Sequence, residues 1–356
     1  MPSTNPSRIP ICASILFPHS ATSLLLVWFV WICGAAAQNV PIVTGSVGAV
    51  TEKNEGVVSR QLEAAPVFAA PLGNHLLVEG RFSFDGFFTQ NNRTGPYNGT
   101  LFKSTQILQL DYIASSRLTL VLGQSLVPFN IYNERLSKLW QQNFQDAPLL
   151  AAVGTRDSGT AVGMQARGNA FANDRVHVNY VGWFSKRQDR FSLNGTRAIG
   201  DRLEVFFPNT RIELGTSFTR RLQDTRYNSY GVHFSWLPYS SPLQVRAEYA
   251  HDPHSQGYWI ENSYRLTQIQ GPDSIIGRLE PLFRMQQYFR NSPGPGDGLP
   301  NVDTKIADFG LAYNLPHDVR FKTSYSRKFA QGADGNIWGV SVTYRFLFPA
   351  WPGKTQ

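Results

Sequence analysis

The sequence predicts an all-β protein, a transmembrane antiparallel β-barrel of about 14–16 strands that follows an N-terminal signal peptide. Three observations support this prediction. Segments of about ten residues recur along the chain, each with an apolar residue at every second position and a turn-forming cluster after it. Charged residues make up only 16% of the 356 residues, whereas soluble domains usually have about 25%. An apolar leader precedes these segments.

Residues 1–37 are predicted to be the signal peptide. Their apolar run extends from Ser23 to Ala37 and ends in small residues that fit a cleavage site after Ala37. The stretch before this run has little positive charge, so an uncleaved membrane anchor is the alternative. Both cysteines, Cys12 and Cys33, lie in the leader, and the mature chain is therefore expected to have no disulfide.

The alternating pattern sets the predicted domain boundaries. Residues 38–72 show no clear period and are predicted to form an N-terminal linker, residues 73–348 the barrel, and residues 349–356 a C-terminal tail. Leu243–Tyr249 is the clearest strand, with Leu, Val, Ala and Tyr on one face and Gln, Arg and Glu on the other. About fourteen such segments are readable, and bacterial single-chain barrels have even strand numbers. Fourteen and sixteen strands are both consistent with the sequence.

The last strand, residues 336–348, indicates which face of a strand contacts lipid and which contacts water. One of its faces is wholly apolar, and this face consists of Trp338, Val340, Val342, Tyr344, Phe346 and Phe348. A soluble sandwich would place many Lys, Glu and Asp residues on its outer faces. The polar faces of these segments instead carry mostly Ser, Thr, Asn, Gln and Gly. We therefore predict lipid against the apolar faces and water inside, and keep an exported soluble β-protein that binds glycans as an alternative.

Two stretches of the sequence carry recognisable spacing. Ser255–Thr267 is a Gly-Tyr-aromatic strand that ends in Leu-Thr. The other stretch contains Gly123-Gln124, Pro128-Phe129, Glu134, Ser137, Phe144, Ala147-Pro148-Leu149 and Arg156-Asp157-Ser158-Gly159. Together with the last strand, these segments resemble the phosphate-selective porin O and P family of trimeric outer-membrane channels. The resemblance is loose and extends over about two-thirds of the chain.

The resemblance and the barrel pattern together imply a cellular setting. The barrel pattern predicts a bacterial outer-membrane protein that contacts outer-membrane lipid and lipopolysaccharide, and the resemblance to trimeric channels implies a homotrimer. The C-terminal strand, residues 336–348, is expected to bind the barrel-assembly machinery. Small anions or polar solutes are the expected cargo. No nucleic-acid partner is predicted, because the net charge of +8 is spread along the chain without a dense Lys/Arg run.

Charged residues on the polar strand faces are the candidate pore lining. The basic candidates are Arg81, Arg175, Arg246, Arg320, Lys322 and Arg345, and the acidic ones are Glu79, Asp85 and Glu248. A few charges in a water-filled lumen with low-dielectric walls create a sizeable potential. The excess of basic residues therefore predicts a mild preference for anions. The alternative is that these charges pair across the lumen and only rigidify the wall.

The segment Phe129–Arg156 is long for a connection in a compact barrel, which indicates a functional role or disorder. Apolar residues recur at helical spacing over residues 133–145 and predict a short helix there. One hypothesis is that the segment folds inward and narrows the channel, with Glu134, Lys138 and Arg156 near the constriction. The alternative is a surface loop whose apolar residues cap the rim or contact a neighbouring subunit.

No catalytic constellation is recognisable in the sequence. Gly-x-Ser-x-Gly, His-Glu-x-x-His and glycine-rich phosphate-loop motifs are absent. His251 and His254 flank a proline in a predicted turn and are interpreted as solvated residues rather than metal ligands. The sequence therefore predicts a passive channel without enzymatic activity, cofactor or metal. A barrel that serves as an outer-membrane enzyme or adhesin is the alternative.

Overall fold

A computed structural model describes most of the chain after the leader. The described residues are 41–54, 56–90, 95–153, 159–187, 197–223, 226–292, 299–332 and 334–349. They form sixteen antiparallel strands in one closed barrel, in which each strand pairs with the next and β1 pairs with β16. The predicted fold class is confirmed, with sixteen strands. The predicted signal peptide and all but the first residue of the predicted tail lie outside the described residues.

In the described part of the chain, the strands follow one another with two short helical turns between them. The strands are β1 (Ile42–Asn54), β2 (Val57–Leu72), β3 (Leu76–Gln90), β4 (Asn98–Ser115), β5 (Leu118–Leu126), β6 (Thr160–Ala172), β7 (His177–Arg187), β8 (Ala198–Phe207), β9 (Ile212–Arg221), β10 (Asn228–Trp236), β11 (Leu243–Asp252), β12 (Ser255–Tyr264), β13 (Leu279–Arg290), β14 (Thr304–Leu315), β15 (Val319–Ala330) and β16 (Gly335–Pro349). A π-helix spans Tyr132–Leu136 and a 3-10 helix Leu266–Gln268. Within the described part of the chain, no helix has the length and apolarity needed to cross a membrane.

The predicted linker over residues 38–72 is wrong from Ile42 onward. This segment forms β1 and β2, and β1 closes the barrel by pairing with β16 from Ile42 opposite Pro349 to Asn54 opposite Ile337. The sequence hides these strands because small residues replace large apolar ones at many positions. Pro66 also has no backbone N–H group to donate, and the pairing of β2 with β3 is interrupted at this position. Closure of the barrel supplies hydrogen-bond partners for the backbone N–H and C=O groups of this segment.

The two faces of the strands separate apolar from polar side chains as predicted. On β16, Trp338 and Val342 are 58% and 44% exposed on the outside of the barrel. Their neighbours Ser341 and Thr343 face inward and are each 2% exposed. The same alternation recurs around the barrel, so the exterior is an apolar surface and the interior a polar one.

The two ends of the barrel differ in their connections. We call the end at which β1 begins the proximal end and the end at which β1 turns into β2 the distal end. Short turns such as residues 73–75, 116–117 and 316–318 join strands at the proximal end. The longest connection starts at the distal end, between Leu126 of β5 and Thr160 of β6.

Candidate functional site

The connection between β5 and β6 lies inside the barrel over the residues that the structure describes. We call its described part, residues 127–153, the lumen loop. Val127, Phe129, Phe144 and Val153 are at most 3% exposed, although the loop belongs to no strand. Its side chains and backbone contact the inward faces of β1 and of strands from β8 to β16. The arrangement matches the hypothesis that the segment folds inward rather than lying on the surface.

The helix predicted over residues 133–145 is shorter in the structure. Only Tyr132–Leu136 is helical, as a single π-helical turn. Barrel side chains bind carbonyl groups that a longer helix would use internally. Lys322 Nζ donates to the carbonyl oxygens of Gln142 at 2.7 Å and Leu139 at 3.3 Å. Tertiary hydrogen bonds therefore replace the helical ones, which periodicity alone does not reveal.

Glu248 of β11 anchors the first half of the lumen loop. Its Oε1 accepts hydrogen bonds from the backbone N–H groups of Ile131 at 2.7 Å and Tyr132 at 2.6 Å. Its Oε2 accepts a third hydrogen bond, from Trp259 Nε1 at 3.0 Å. Three donors satisfy this buried carboxylate, so Glu248 holds the loop and does not face an open pore. Its predicted role as pore lining is corrected accordingly.

Basic residues of the barrel wall anchor the second half of the loop. Arg284 of β13 donates to the carbonyl oxygen of Asp146 at 3.0 Å and pairs with Asp308 at 2.7 Å. Arg320 of β15 donates to Asn143 Oδ1 and Glu280 Oε2, both at 3.0 Å. These cations act as donors to the loop while their charges are balanced by neighbouring carboxylates. The sequence-based alternative, charges that pair and rigidify the wall, describes this region.

A second charged cluster fixes the π-helix of the loop against β8, β9 and β10. Arg135 of the loop pairs with Glu204 at 2.6 Å and with Glu213 at 2.5 Å. His233 Nε2 lies 3.4 Å from Glu213. Glu204, Glu213 and His233 are close enough to ligate one cation. The guanidinium of Arg135 already bridges both carboxylates, so we assign no metal to this cluster.

Four glycines of the barrel wall make room for loop side chains, and sequence reasoning missed their role. Gly48, Gly231, Gly310 and Gly339 lie on inward faces of β1, β10, β14 and β16. A Cβ at Gly48 would lie 2.6 Å from Leu139, and one at Gly310 would lie 3.2 Å from Phe144. The corresponding spaces at Gly231 and Gly339 hold Asn130 and Gln145. The only signal in the sequence is a glycine at an inward strand position.

Two predicted pore-lining residues lie elsewhere than expected. Arg175 is in the turn between β6 and β7, where Asn173 Oδ1 accepts its backbone N–H at 2.9 Å. Strand β7 begins at His177, two residues after Arg175, so Arg175 is not on an inward strand face. The side chain of Arg175 is exposed. Arg345, near the end of β16, pairs with Asp318 at 2.8 Å and lies 5.2 Å from the ring of Trp140. It belongs to the proximal rim.

The remaining candidates lie within the barrel. Arg81 of β3 is only 2% exposed, and Glu79 accepts a hydrogen bond from Gln109 at 2.9 Å. Asp85 accepts one from Ser83 at 2.5 Å. Arg246 lies 3.8 Å from Glu261 and donates to Gln244 at 3.1 Å.

The predicted constriction residues have different surroundings. Glu134 pairs with Arg202 of β8 at 2.6 Å. Lys138 lies 5.8 Å from the ring centre of Trp140. Burial and the nearby Arg81 guanidinium lower the pKa of Lys138. Arg156 lies outside the described residues.

Two cavities lie on opposite sides of the lumen loop, and none of the residues that the structure describes lines both. The distal cavity has a volume of about 710 Å³, and its charged lining residues are Asp146, Arg284 and Asp308. The proximal cavity has a volume of about 660 Å³. Its charged lining residues are Arg135, Arg211, Arg246, Arg265, Arg320, Glu213 and Glu280. Among the described lining residues, carboxylates are therefore in excess on the distal side of the loop and arginines on the proximal side.

Comparisons with known proteins show the fold. No family model matches the chain, and no curated protein matches it. An anion-selective porin from Comamonas acidovorans covers 87% of the chain over 100% of its own length, with 12% identity and a TM-score of 0.54. OmpT of Vibrio cholerae (88% and 99%, 8% identity, TM-score 0.58) and the channel DcaP of Acinetobacter baumannii (88% and 99%, 13% identity, TM-score 0.53) are also similar.

Identities this low establish similarity of fold alone. The resemblance to the phosphate-selective porin family stays a prediction from the sequence. The chain has the sixteen-stranded fold found among outer-membrane porins and channels.

Proposed function

We propose that the protein is an outer-membrane porin, a passive water-filled channel for small hydrophilic solutes with a mild preference for anions. The observation that carries this proposal is a closed barrel with an apolar exterior, a polar interior and a loop anchored across its lumen. A closed barrel leaves no unpaired strand edge in hydrocarbon, and its apolar exterior suits lipid. The loop then limits the size of the solutes that pass.

The solute path in this proposal begins in the proximal cavity and then passes the lumen loop on the side of the wall formed by β2 to β6. Hydrogen bonds and ion pairs hold the loop against the wall from β8 to β15, and in this proposal solutes pass on its other side. Lys138 is the loop cation that lies near this path, since Arg81 and Glu79 of β3 influence its ionisation. Arg167 of β6 pairs with Asp111 of β4 at 2.5 Å and remains 36% exposed.

The preference for anions is expected to be mild because two regions oppose each other. Five guanidinium groups and two carboxylates line the proximal cavity, which favours anions there. The wall from β2 to β4 instead carries an excess of carboxylates, and these are Glu63, Glu79, Asp85 and Asp111. Arg81 and Arg167 partly balance them.

Reconstitution in planar bilayers tests the proposal directly. We expect stepwise ohmic conductance and, in a potassium chloride gradient, a small reversal potential of the sign that favours chloride. A reversal potential favouring potassium would contradict the anion preference, and an absence of conductance from folded protein would contradict the channel. Folded protein is identified by its resistance to cold SDS and by a gel-mobility shift on boiling, which an exported soluble β-protein would not show.

We further propose that the barrel contacts outer-membrane lipid and lipopolysaccharide, forms a homotrimer and has no enzymatic activity. The exposed apolar faces of the strands support the lipid contact. The aromatic face of β16 supports its recognition by the barrel-assembly machinery. Cross-linking in native membranes tests the trimer. The absence of a cross-linked product with three times the monomer mass would contradict it.

A further inference from the structure

We propose that the proximal cavity is a binding subsite for organic carboxylates that carry an apolar body. This inference rests on the proposed channel function and deepens it by naming a class of solute. The cavity has a volume of about 660 Å³, within the range of roughly 300–1,000 Å³ that is usual for small-molecule sites. It lies between the lumen loop and the proximal ends of the strands from β8 to β15.

Three guanidinium groups in this cavity have no carboxylate within hydrogen-bond distance among the described residues. The nearest carboxylate to Arg246 is Glu261, at 3.8 Å. Arg265 donates its Nε to the carbonyl oxygen of Gly277 at 3.2 Å, and Arg211 lies 4.8 Å from the ring centre of Tyr239. Arginine binds carboxylates through paired N–H groups, so these residues offer charge and suitable geometry to an anion.

The two other arginines of the cavity are already neutralised. Arg135 pairs with Glu213 at 2.5 Å, and Arg320 pairs with Glu280 at 3.0 Å. The two carboxylates that line the cavity are therefore both engaged. Of the other three arginines, Arg211 and Arg265 have no carboxylate partner among the described residues, and Arg246 has Glu261 at 3.8 Å. An incoming carboxylate meets no unpaired negative group among the described residues of this lining.

The rest of the lining favours a solute with an apolar body. The lumen loop contributes Ile131, Leu136 and Trp140, and the wall contributes Phe206 and Leu237. An inorganic anion would contact only the guanidinium groups and would leave the apolar part of the lining in contact with water. An organic carboxylate uses both surfaces, because its apolar body is removed from water when it contacts the apolar part of the lining.

The loop side of the subsite is held in place before any solute arrives. The N–H of Ile131 is bound to Glu248 at 2.7 Å, and Arg135 bridges Glu204 and Glu213. Fixed groups reduce the ordering cost of binding. The described lining of the distal cavity lacks this combination, because Arg284, the arginine among those residues, is paired with Asp308 at 2.7 Å.

Block of ion current by a probe solute tests the inference. Cyclohexanecarboxylate has the charge and the apolar body, acetate has only the charge, and cyclohexanecarboxamide has only the body. We expect cyclohexanecarboxylate to reduce the chloride current at a concentration at least about tenfold lower than either of the other two. Arg246→Gln and Arg265→Gln should each raise its half-blocking concentration by about tenfold.

Arg175→Gln is the matched control, because Arg175 is also at the proximal end but lies exposed in a turn. It should leave the half-blocking concentration unchanged. Equal block by the carboxamide, equal block by acetate, or unchanged block in both arginine variants would each overturn the inference. Heat-modifiable gel mobility establishes that each variant is folded.

Equilibrium binding keeps this test separate from that of the channel itself. Titration calorimetry of the detergent-solubilised protein with cyclohexanecarboxylate needs no conductance. Binding that weakens in Arg246→Gln, in a protein that does not conduct, would support the subsite and contradict the proposed function. Conductance without any binding or block would support the proposed function and contradict the subsite.

Discussion

At the residue scale, three of the nine charges predicted to line the pore instead hold the lumen loop, and these are Glu248, Arg320 and Lys322. Glu248 accepts two backbone N–H groups of the loop, and Lys322 donates to two of its carbonyl oxygens. Alternation along a strand correctly predicted that these side chains face inward. It did not reveal a loop in front of them. A buried charge is tolerated there because each one finds several hydrogen-bond partners.

We expect Lys322→Met to loosen the loop. The methionine has a similar length but leaves the carbonyl oxygens of Leu139 and Gln142 without their donor. The free energy of unfolding should fall by about 1–3 kcal/mol, and the single-channel current should become noisier. Lys328→Met is the control, because Lys328 lies on the same face of β15 and has no hydrogen bond to the described part of the loop. Equal current noise in the two variants would contradict the anchoring role.

At the scale of elements, β1, β2 and the lumen loop were the hardest parts to predict. β1 and β2 contain many small residues, so their alternation is weak, although their pairing with β16 and β3 is continuous over most of their length. The loop shows helical spacing over residues 133–145 but forms only one π-helical turn. In both places long-range hydrogen bonds, which join residues far apart in sequence, override the local pattern.

Enlarging a wall glycine should displace the loop without removing any polar contact. In Gly48→Val the added side chain would occupy the space of Leu139, since even a Cβ there lies 2.6 Å from it. Valine suits a strand, so the barrel itself should form. We expect a unit conductance that differs from the wild type by at least about 30%, because pore width sets conductance.

Gly182→Val is the matched control for this glycine. Gly182 lies in β7, and a Cβ at this position would have no neighbour within 4 Å. Its unit conductance should equal that of the wild type. If Gly48→Val also left the conductance unchanged, the loop would not limit the pore.

At the scale of the whole molecule, closure and the outward apolar surface determine where the barrel is stable. The sixteen strands leave no free edge, and aromatic and aliphatic residues cover the exterior. Such a surface is stable against lipid and prone to aggregation in water. The fold class was therefore predictable from alternation and composition. The strand number was not predictable, because the sequence pattern of β1 and β2 indicated a linker.

A charge on the outer surface should cost more near the middle of a strand than at its end. Val342 in the middle of β16 and Phe329 at the distal end of β15 are similarly exposed, at 44% and 46%. We expect Val342→Arg to destabilise the bilayer-folded protein by about 2–4 kcal/mol and Phe329→Arg by about 0–1 kcal/mol. Urea titration in lipid vesicles measures both. Equal small losses would contradict lipid contact at Val342.

The sequence by itself determined the class of the fold, the division between lipid-facing and lumen-facing sides, and the unusual length of the segment between β5 and β6. These features depend on period and composition, which are local properties of the chain. Only the tertiary structure decided that β1 and β2 complete the barrel and that the loop crosses the lumen.

The tertiary structure also decided which charges remain available to solutes. Glu248, Arg320 and Lys322 are bound to the loop, whereas Arg211 and Arg265, which alternation never indicated, line the proximal cavity. The physical reason is that a charged side chain is satisfied by whichever partner the closed barrel brings near it. Those partners lie up to 183 positions away along the chain, beyond the reach of any local pattern.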